Sequence, residues 1–560
     1  MGPSWLASPA RRMVQVICLA LFLVLFLWVA WPYGSPDYVA TREAKEIVDA
    51  EVFLAIDPLA GISAALAARA WIPSLALAGV VLLACIALPR GFCGWVCPLG
   101  TLIDLFDRAL GRRAVRFHVK AEGWWVHLRY YILAGILAAS VLGILLSGFL
   151  AAIPLLTRGL LYTIGTLQSG FLRGWYLVPP IDAGQVLAVA ILAGTLALGL
   201  LGPRFWCRHV CPTGAIFSAF AALRGIERKV DGDRCKDCGL CEAACSFGAV
   251  RPDITTRPDR CASCQTCGGI CPWGAIGFEV YIRWLPSLAR ARLPGAVPAS
   301  GPRLSRRGFL AGGISGVAAA LALDRFPGAV AASPPVRPPG SVPEREFLRL
   351  CVRCGECFKA CPNDAIQPMG IAAGVRNLWT PRLAADWSGC DPRCNNCGEV
   401  CPTGAIRALD LEEKRAARMG LAIVDTAACL PHAGREPCRI CADECHMAGY
   451  DAIEFLRVRV DVDEAGAPVE GSGYVAPVVV ADRCVGCGLC QMRCFAINVQ
   501  EKRLLASSAI GVEAGEGRED RIARGSYRAL RAAERQAREE EERRTGTSGD
   551  QEYLPDFLKE

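Results

Sequence analysis

Thirty cysteines in 560 residues constrain this chain more than any other feature. A secreted disulfide scaffold spreads its cysteines at varied spacings. Here short CxxC-type gaps recur, which favours bound metal over cross-links. One region carries Cys235-x2-Cys238-x2-Cys241-x3-Cys245 and then Cys261-x2-Cys264-x2-Cys267-x3-Cys271-Pro272. Two such runs so close together form the pattern of a bacterial two-cluster ferredoxin. Attached haem does not fit, because no CxxCH occurs. The nearest stretch, Cys441 to Cys445-His446, is one residue too long. No Walker phosphate loop, strand-linked GxGxxG or HExxH is present either.

The spacing has a geometric meaning. Three closely spaced thiolates grip three irons of one cubane, and the fourth cysteine of the run reaches the neighbouring cluster. Cys235, Cys238 and Cys241 therefore go with Cys271, and Cys261, Cys264 and Cys267 with Cys245. A structural zinc ion is the competing reading and fits these runs less well. Ser246 stands where a proline usually follows, which removes a turn constraint but no ligand. Four further runs lie beyond residue 350. They are Cys351, Cys354, Cys357, Cys361; Cys390, Cys394, Cys397, Cys401; Cys429, Cys438, Cys441, Cys445; and Cys484, Cys487, Cys490, Cys494. Longer first gaps in the middle two runs need only a longer loop. The thiols suffice for four more [4Fe-4S] clusters, six in all. Sequential pairing of the runs and nested pairing, outer with outer and inner with inner, are both open.

The mean hydropathy is +0.31 and 53% of residues are hydrophobic, which points to an integral membrane part. Apolar runs at 14–31, 71–88, 130–150 and 184–202 are each near the length of a spanning helix. The loops after the second and fourth runs are basic, with Arg90, Arg108, Arg112, Arg113, Arg116 and Lys120 in one and Arg204, Arg208, Arg224, Arg228 and Lys229 in the other. Loops of that kind stay in the cytoplasm. The net charge of +7 is not gathered on one segment, so topology explains it better than nucleic acid, for which no reader motif is present. Each of these two exits carries a CxxxCP pair, Cys93/Cys97 and Cys207/Cys211, an apparent internal duplication. The four thiols are candidates for a seventh cluster, for redox-active pairs, or for shaping the exit turns. Cys18 and Cys85 lie within apolar runs and read as packing. Asp57 and Asp182 fall on expected outer-face loops, as candidate proton acceptors or simply solvated carboxylates. His127, beside Trp124 and Trp125, reads as an interfacial anchor.

Ser305-Arg306-Arg307-Gly308-Phe309-Leu310 opens a short apolar stretch rich in Gly and Ala, the form of a twin-arginine export signal. It follows a Pro/Gly/Arg linker at 285–301, and Ala329-Val330-Ala331 resembles a signal-peptidase site. Four crossings would leave the chain in the cytoplasm, where such a signal is read. From 518 to 544 acidic and basic residues alternate without an apolar stripe, which reads as a solvated helix or disordered tail. The expected architecture is mixed. A helical membrane bundle of four spans, with a fifth in question, occupies 1–205, and a two-cluster ferredoxin-like α+β domain 206–280. A linker at 281–345 holds the twin-arginine segment, a four-cluster domain fills 346–505, and a charged tail covers 506–560.

These features resemble two known families. Residues 1–280 are similar to the NapH-type membrane subunit of the quinol dehydrogenase that feeds periplasmic nitrate reductase, on the four spans, the CxxxCP exits and the cytoplasmic ferredoxin. Residues 303–500 resemble its NapG/MauM-type periplasmic ferredoxin partner. The resemblance implies electron transfer in anaerobic respiration, as a quinol dehydrogenase component at the bacterial inner membrane. Electrons would pass from the quinone pool to a periplasmic reductase or cytochrome. It also implies nested pairing, Cys351, Cys354 and Cys357 with Cys494, and Cys484, Cys487 and Cys490 with Cys361. The CxxxCP exits occur as well in regulators resembling the nitrous-oxide-reductase accessory protein. The alternative function is therefore electron supply for maturation or regulation of a periplasmic metalloenzyme.

Overall fold

The computed structural model describes residues 4–30, 51–111, 124–280, 305–325, 334–463, 469 and 471–545. The linker at 285–301, the triplet at 329–331, the loop cations Arg112, Arg113, Arg116 and Lys120, and the residues from 546 onward lie outside them.

The first apolar run extends backwards through Arg11 and Arg12 into one helix, α1 (Ser4–Trp28). At 25 residues it is about 37 Å long. The apolar chain then folds as α2 (Pro58–Ala68), α3 (Pro73–Ala87), α4 (Pro98–Phe106), α5 (Leu128–Val141), α6 (Ala152–Leu160), α7 (Ala183–Ala197) and α8 (Pro212–Phe220). Four of these start on a proline, whose missing N–H costs nothing in a first turn. Asp57 caps α2 by accepting from Leu59 N at 3.0 Å, and Asp182 caps α7 by accepting from Gln185 N at 2.7 Å.

Among the described residues two stretches are long and apolar enough to cross a membrane, Ser8–Trp28 and Ala183–Leu201. The other two expected spans are shorter. The run at 71–88 yields the 15 residues of α3, and that at 130–150 breaks after the 14 residues of α5, where Gly143 takes φ +83°. The helices α2 and α6, which no apolar run of spanning length announces, fill the bundle centre. Leu59, Ala64, Ile153 and Leu156 are buried there with Phe22 and Phe26 of α1. Helices apolar all round belong in an interior.

The first cysteine-rich module is a two-stranded antiparallel sheet, β1 (Ile226–Val230) against β2 (Ile276–Val280), registered from Ile226↔Val280 to Val230↔Ile276. Between the strands lie the short helices α9 (Leu240–Ala243) and α10 (Thr266–Ile270). Next comes α11 (Arg306–Arg325), the twin-arginine segment, whose first turn is capped by Ser305 Oγ accepting from Gly308 N at 3.4 Å. It lies along α5 as a further helix of the bundle. The seam is glycine on glycine. A side chain added at Gly312 would meet Tyr131 Cα at 2.9 Å, and one at Gly316 would strike the backbone of Gly135. Small residues every fourth position let two helix backbones touch, as they do between membrane helices. Contact residues rise together along both helices, so α11 runs parallel to α5.

The second module builds three more two-stranded sheets. These are β3 (Ile366–Pro368) with β4 (Pro381–Leu383), β5 (Leu421–Val424) with β8 (Ile510–Glu513), and β6 (Ile453–Val458) with β7 (Tyr474–Val479). A two-stranded sheet is marginal alone. Here thiols fill the space that apolar side chains would occupy, with Cys429, Cys441, Cys445, Cys484, Cys490 and Cys494 among the buried core.

The module also reaches past residue 505. Strand β8 pairs with β5, and α13 (Tyr527–Thr545) packs on α12 (Leu411–Ala416). The charged face of 518–544 is indeed exposed for much of its length, but the segment is not merely solvated. Tyr527 is fully buried against Leu409 and Ala417, and its N–H donates to Glu413 Oε2 at 2.7 Å. One buried aromatic at the helix start anchors it, a signal too small to register as periodicity.

Replacing Gly316 by valine forces a branched side chain into the α5 backbone. Overpacking of this kind costs about 1–3 kcal/mol. The purified variant is expected to melt at a lower temperature than the parent. An unchanged melting midpoint would contradict the seam.

Candidate iron–sulfur centres

Among the described residues no three Cys, His, Asp or Glu side chains converge as ligands of a single ion. The cysteines instead enclose spaces. Cys235, Cys238, Cys241 and Cys271 line one cavity between α9 and β2. Cys261 and Cys267 stand within electrostatic reach of Cys264 and Cys245, which completes the second group of that module. Both groups are those the spacing assigns. A tetrahedral zinc ion needs four thiolates around one point at about 2.3 Å. Thiols spread around a cavity suit the larger cubane.

The second module departs from the nested pairing that the family resemblance implies. Cys351, Cys354 and Cys357 share a cavity with Cys401, not Cys494. Cys429, Cys438 and Cys441 share one with Cys494. Cys361 faces Cys394 and Cys390, and Cys445 faces Cys484. Pairing is therefore sequential, the first run with the second and the third with the fourth. The physical reason is local. In each run the fourth cysteine sits in or just after a short helix, which directs it into the neighbouring cavity. The eight-residue gap after Cys429 is taken up by a compact loop in which Ala433 N donates to Cys429 O at 2.8 Å.

The two pairs join where Cys390 N donates to Cys487 O at 2.8 Å. The four groups therefore follow one another in a line, starting at Cys351/Cys354/Cys357/Cys401 and ending at Cys429/Cys438/Cys441/Cys494.

Burial pushes the Cys361 and Cys487 thiols up to about 12, and the nearby thiols push in the same direction. Empty, these sites hold protons, and metal binding displaces them. Lys414 shows the complement. Burial works against its charge, yet Cys390 lifts its pKa above the usual lysine value. A buried lysine next to this cavity calls for an anionic occupant.

The modules sit at opposite ends of the bundle. Near the start of α1, Arg11 Nη1 donates to Gly94 O at 3.3 Å, and the helix lies against α10 of the first module. Arg129, at the start of α5, pairs with Asp259 at 3.1 Å, and Arg90 Nη1 donates to Arg260 O at 3.1 Å. At the other end of α1, Lys359 lies 3.0 Å from the Phe26 ring centroid, and Val29 packs with Ala360 and Val400 of the second module. There Arg158 Nη1 donates to Gly148 O at 2.8 Å and Arg353 O at 3.1 Å, while Arg353 Nη1 donates to Leu145 O at 2.9 Å. Arg173 pairs with Asp364 at 2.8 Å and donates to Cys361 O at 2.9 Å.

Sequence reasoning counted Arg90 and Arg204 as loop charges. Arg90, Arg158 and Arg204 are fully buried, and the Arg173 side chain is nearly so. Asp57 is likewise no solvated loop residue. It is wholly enclosed, with Ile153 N and Thr213 Oγ1 each at 3.5 Å besides its cap to Leu59. Asp182 also caps a helix and faces Gly370 of the second module. His127 stands at the first module's joint, its ring 6.4 Å from that of Tyr130. Cys85 is buried among apolar neighbours, and Cys18 is half-buried.

The two CxxxCP exits are built alike. Each is a π-helical turn, Phe92–Val96 and Trp206–Val210, ending in a cysteine with φ −59°. Cys97 Sγ accepts from Gly100 N, and Cys211 Sγ from Gly214 N, both at 3.4 Å. Arg90 and Arg204, three residues before each first cysteine, both hold φ near +50°.

Small sheets wrapped around thiol-lined cavities make this an iron–sulfur protein of the ferredoxin type. Comparison with known proteins agrees. A family of 4Fe-4S binding domains matches residues 70–118 and 185–230, and another 4Fe-4S binding domain matches residues 348–367. The ferredoxin-type protein NapG of Escherichia coli is 35% identical over 217 residues, 38% of this chain and 90% of the relative. The methylamine utilization ferredoxin-type protein MauM of Methylorubrum extorquens is 36% identical over 203 residues, 34% of this chain and 84% of the relative. Protein NirI of Paracoccus denitrificans is 33% identical over 167 residues, 29% of this chain and 22% of the relative. No solved structure matches. The chain belongs to the NapG/MauM family of ferredoxin-type proteins.

Pairing has a direct consequence for double variants. With sequential pairing, Cys351→Ser and Cys401→Ser damage one cluster. Their combination should lose about 4 irons, no more than either alone, whereas Cys351→Ser with Cys494→Ser should lose about 8. Iron analysis of the purified variants checks this. Nested pairing gives the reverse.

Proposed function

We propose that this chain is a membrane-bound electron carrier that takes electrons from quinol and delivers them to a periplasmic reductase or cytochrome. The observation that carries the proposal is the placement of thiol-lined modules at both ends of one apolar bundle, with α1 touching both. In this reading α1, α3, α5, α7 and the parallel α11 cross the bacterial inner membrane. The shorter helices are completed by the buried loops that follow them. The first module lies in the cytoplasm and the second in the periplasm, where it forms the donor side.

Residues 1–280 play the part of a NapH-type subunit fused to its partner. The twin-arginine segment delivers the second module in folded form and then stays in place, because its glycine seam leaves α11 seated against α5.

The ligands would be the six thiol groups described above, each holding one [4Fe-4S] cluster and passing one electron at a time. Quinol gives up two electrons and two protons, so a carrier of this kind splits the pair. The protein supplies the environment of each cluster. Arg158 and Arg353 are buried beside Cys354 and Cys351, and Lys414 beside Cys390. Positive charge close to a cluster favours its reduced form. These cations grade the potentials along the line towards Cys429/Cys438/Cys441/Cys494.

The test is reduction in isolated membranes. A reduced quinol analogue added anaerobically should bleach the cluster absorbance, and Arg158→Gln should slow that reduction while leaving the iron content near the parent's. If a soluble donor reduces the clusters and the quinol analogue does not, the quinol reading is lost.

A further inference from the structure

We propose that Cys93, Cys97, Cys207 and Cys211 together hold one further iron–sulfur cluster, shared between the two halves of the bundle, and that Arg90 is the counter-charge that sets its potential. Neither half has enough thiols alone, since each CxxxCP exit supplies two and a cluster takes four. The fold joins them. The Phe92 ring stacks on Phe217 across the halves with centroids 5.1 Å apart. Arg204 of the second half donates to Cys93 O at 2.9 Å and to Gly100 O at 3.3 Å in the first.

Cys97 and Cys211 are buried, and Cys93 and Cys207 pack against the same core. Cys97 and Cys211 also precede α4 and α8, whose first amides donate to their sulfurs, an arrangement that favours thiolate.

The charge balance points the same way. Arg204 is answered by Asp104 through two hydrogen bonds of 2.6 Å. The internal repeat places Arg90 opposite Arg204, but at the position equivalent to Asp104 it has Ser218, whose hydroxyl donates to Gly214 O at 2.8 Å. Among the described residues no carboxylate pairs with Arg90. It is fully buried, its Nη1 donates to backbone carbonyls, and its Nε and Nη2 have no partner. Nη2 is directed at the second exit, 3.6 Å from where a Gly214 side chain would begin. An enclosed guanidinium without a counter-ion is costly. A cluster held by four thiolates is anionic and supplies one.

Place in the molecule gives the site its use. Gly94, inside the first exit, abuts Ala262 between Cys261 and Cys264: an added side chain would meet Ala262 Cβ at 2.9 Å and the Phe247 ring at 3.8 Å. Phe247 packs beside Cys245, Cys261 and Cys264 and lies beneath Arg204 at 4.3 Å and Arg90 at 5.8 Å. The shared site therefore adjoins the inner cluster of the first module, on the path from that module into the bundle. One electron enters and one leaves there, and no proton or bond is exchanged.

The relay role rests on the electron-carrier reading, but occupancy of the site does not, so iron analysis and quinol reduction fail independently. The full-length protein should contain more than the about 24 irons of six cubanes, about 28 for a further cubane or about 26 for a two-iron cluster. The Cys93→Ser/Cys207→Ser variant should lose that excess and one paramagnetic signal while the other signals persist. Should that variant fail to accumulate, Arg90→Gln decides. Removing the positive charge should lower the midpoint of one centre, with the ratio of reduced to oxidised form falling about tenfold at fixed potential, about 59 mV for one electron. Arg90→Lys should restore most of it. An iron content of about 24 in the parent, with Arg90→Gln shifting no potential, overturns the proposal. Loss of titratable disulfide in place of iron would do the same.

Discussion

Enclosed positive charge governs this structure. Arg90, Arg129, Arg158, Arg204 and Arg337 are fully buried, and Arg353 nearly so. A guanidinium can be buried if its donors find acceptors and its charge finds an opposite. The backbone carbonyls of the joints meet the first need. Arg158 of the bundle and Arg353 of the second module bind the two together through the carbonyls of Arg353 and Leu145. Arg90 does the same at the other end through the Arg260 carbonyl, and Arg204 ties the two halves of the bundle together through Cys93 and Gly100. Carboxylates answer part of the charge, at Asp104, Asp259 and Asp364. In the proposed reading thiolate clusters answer the remainder, so the forces that hold the modules in place would also tune the cofactors.

This coupling has a cost in robustness. A cluster lost from the cavity of Cys351, Cys354, Cys357 and Cys401 removes the negative charge beside Arg353 and Arg158 as well as the core of a domain whose sheets have two strands each. Cofactor loss should therefore loosen the joint.

Much of the site was legible in the sequence. Cysteine spacing named every thiol group of the first module, because three close ligands and one distant one is a local rule that two neighbouring runs satisfy in one way. It left the second module open, since four runs can pair in two ways and spacing carries no information on which cavity a fourth cysteine enters. The bundle was legible only in part. Hydropathy found α1 and α7 but not α2 and α6, which are short, with α6 fully and α2 largely buried. Counting charges by loop placed Arg90 and Arg204 in solvent, although the matching CxxxCP exits already hinted that the two arginines are equivalent positions in a repeat. The glycines at 308, 312 and 316 were visible as the small residues of an export signal, and their spacing of four was the overlooked sign of helix packing. Tyr527 at the head of a charged helix could be recognised only in three dimensions.

The account depends most on electrons having a route across the bundle from one face to the other, so the sidedness of the two modules is the decisive fact. Limited proteolysis of sealed vesicles of each orientation measures it, read with antibodies to the first module and to the region beyond residue 334. The account predicts that the first module is cut only when its cytoplasmic face is outward, and the second only when the periplasmic face is. Cutting of both modules from the same side would contradict it.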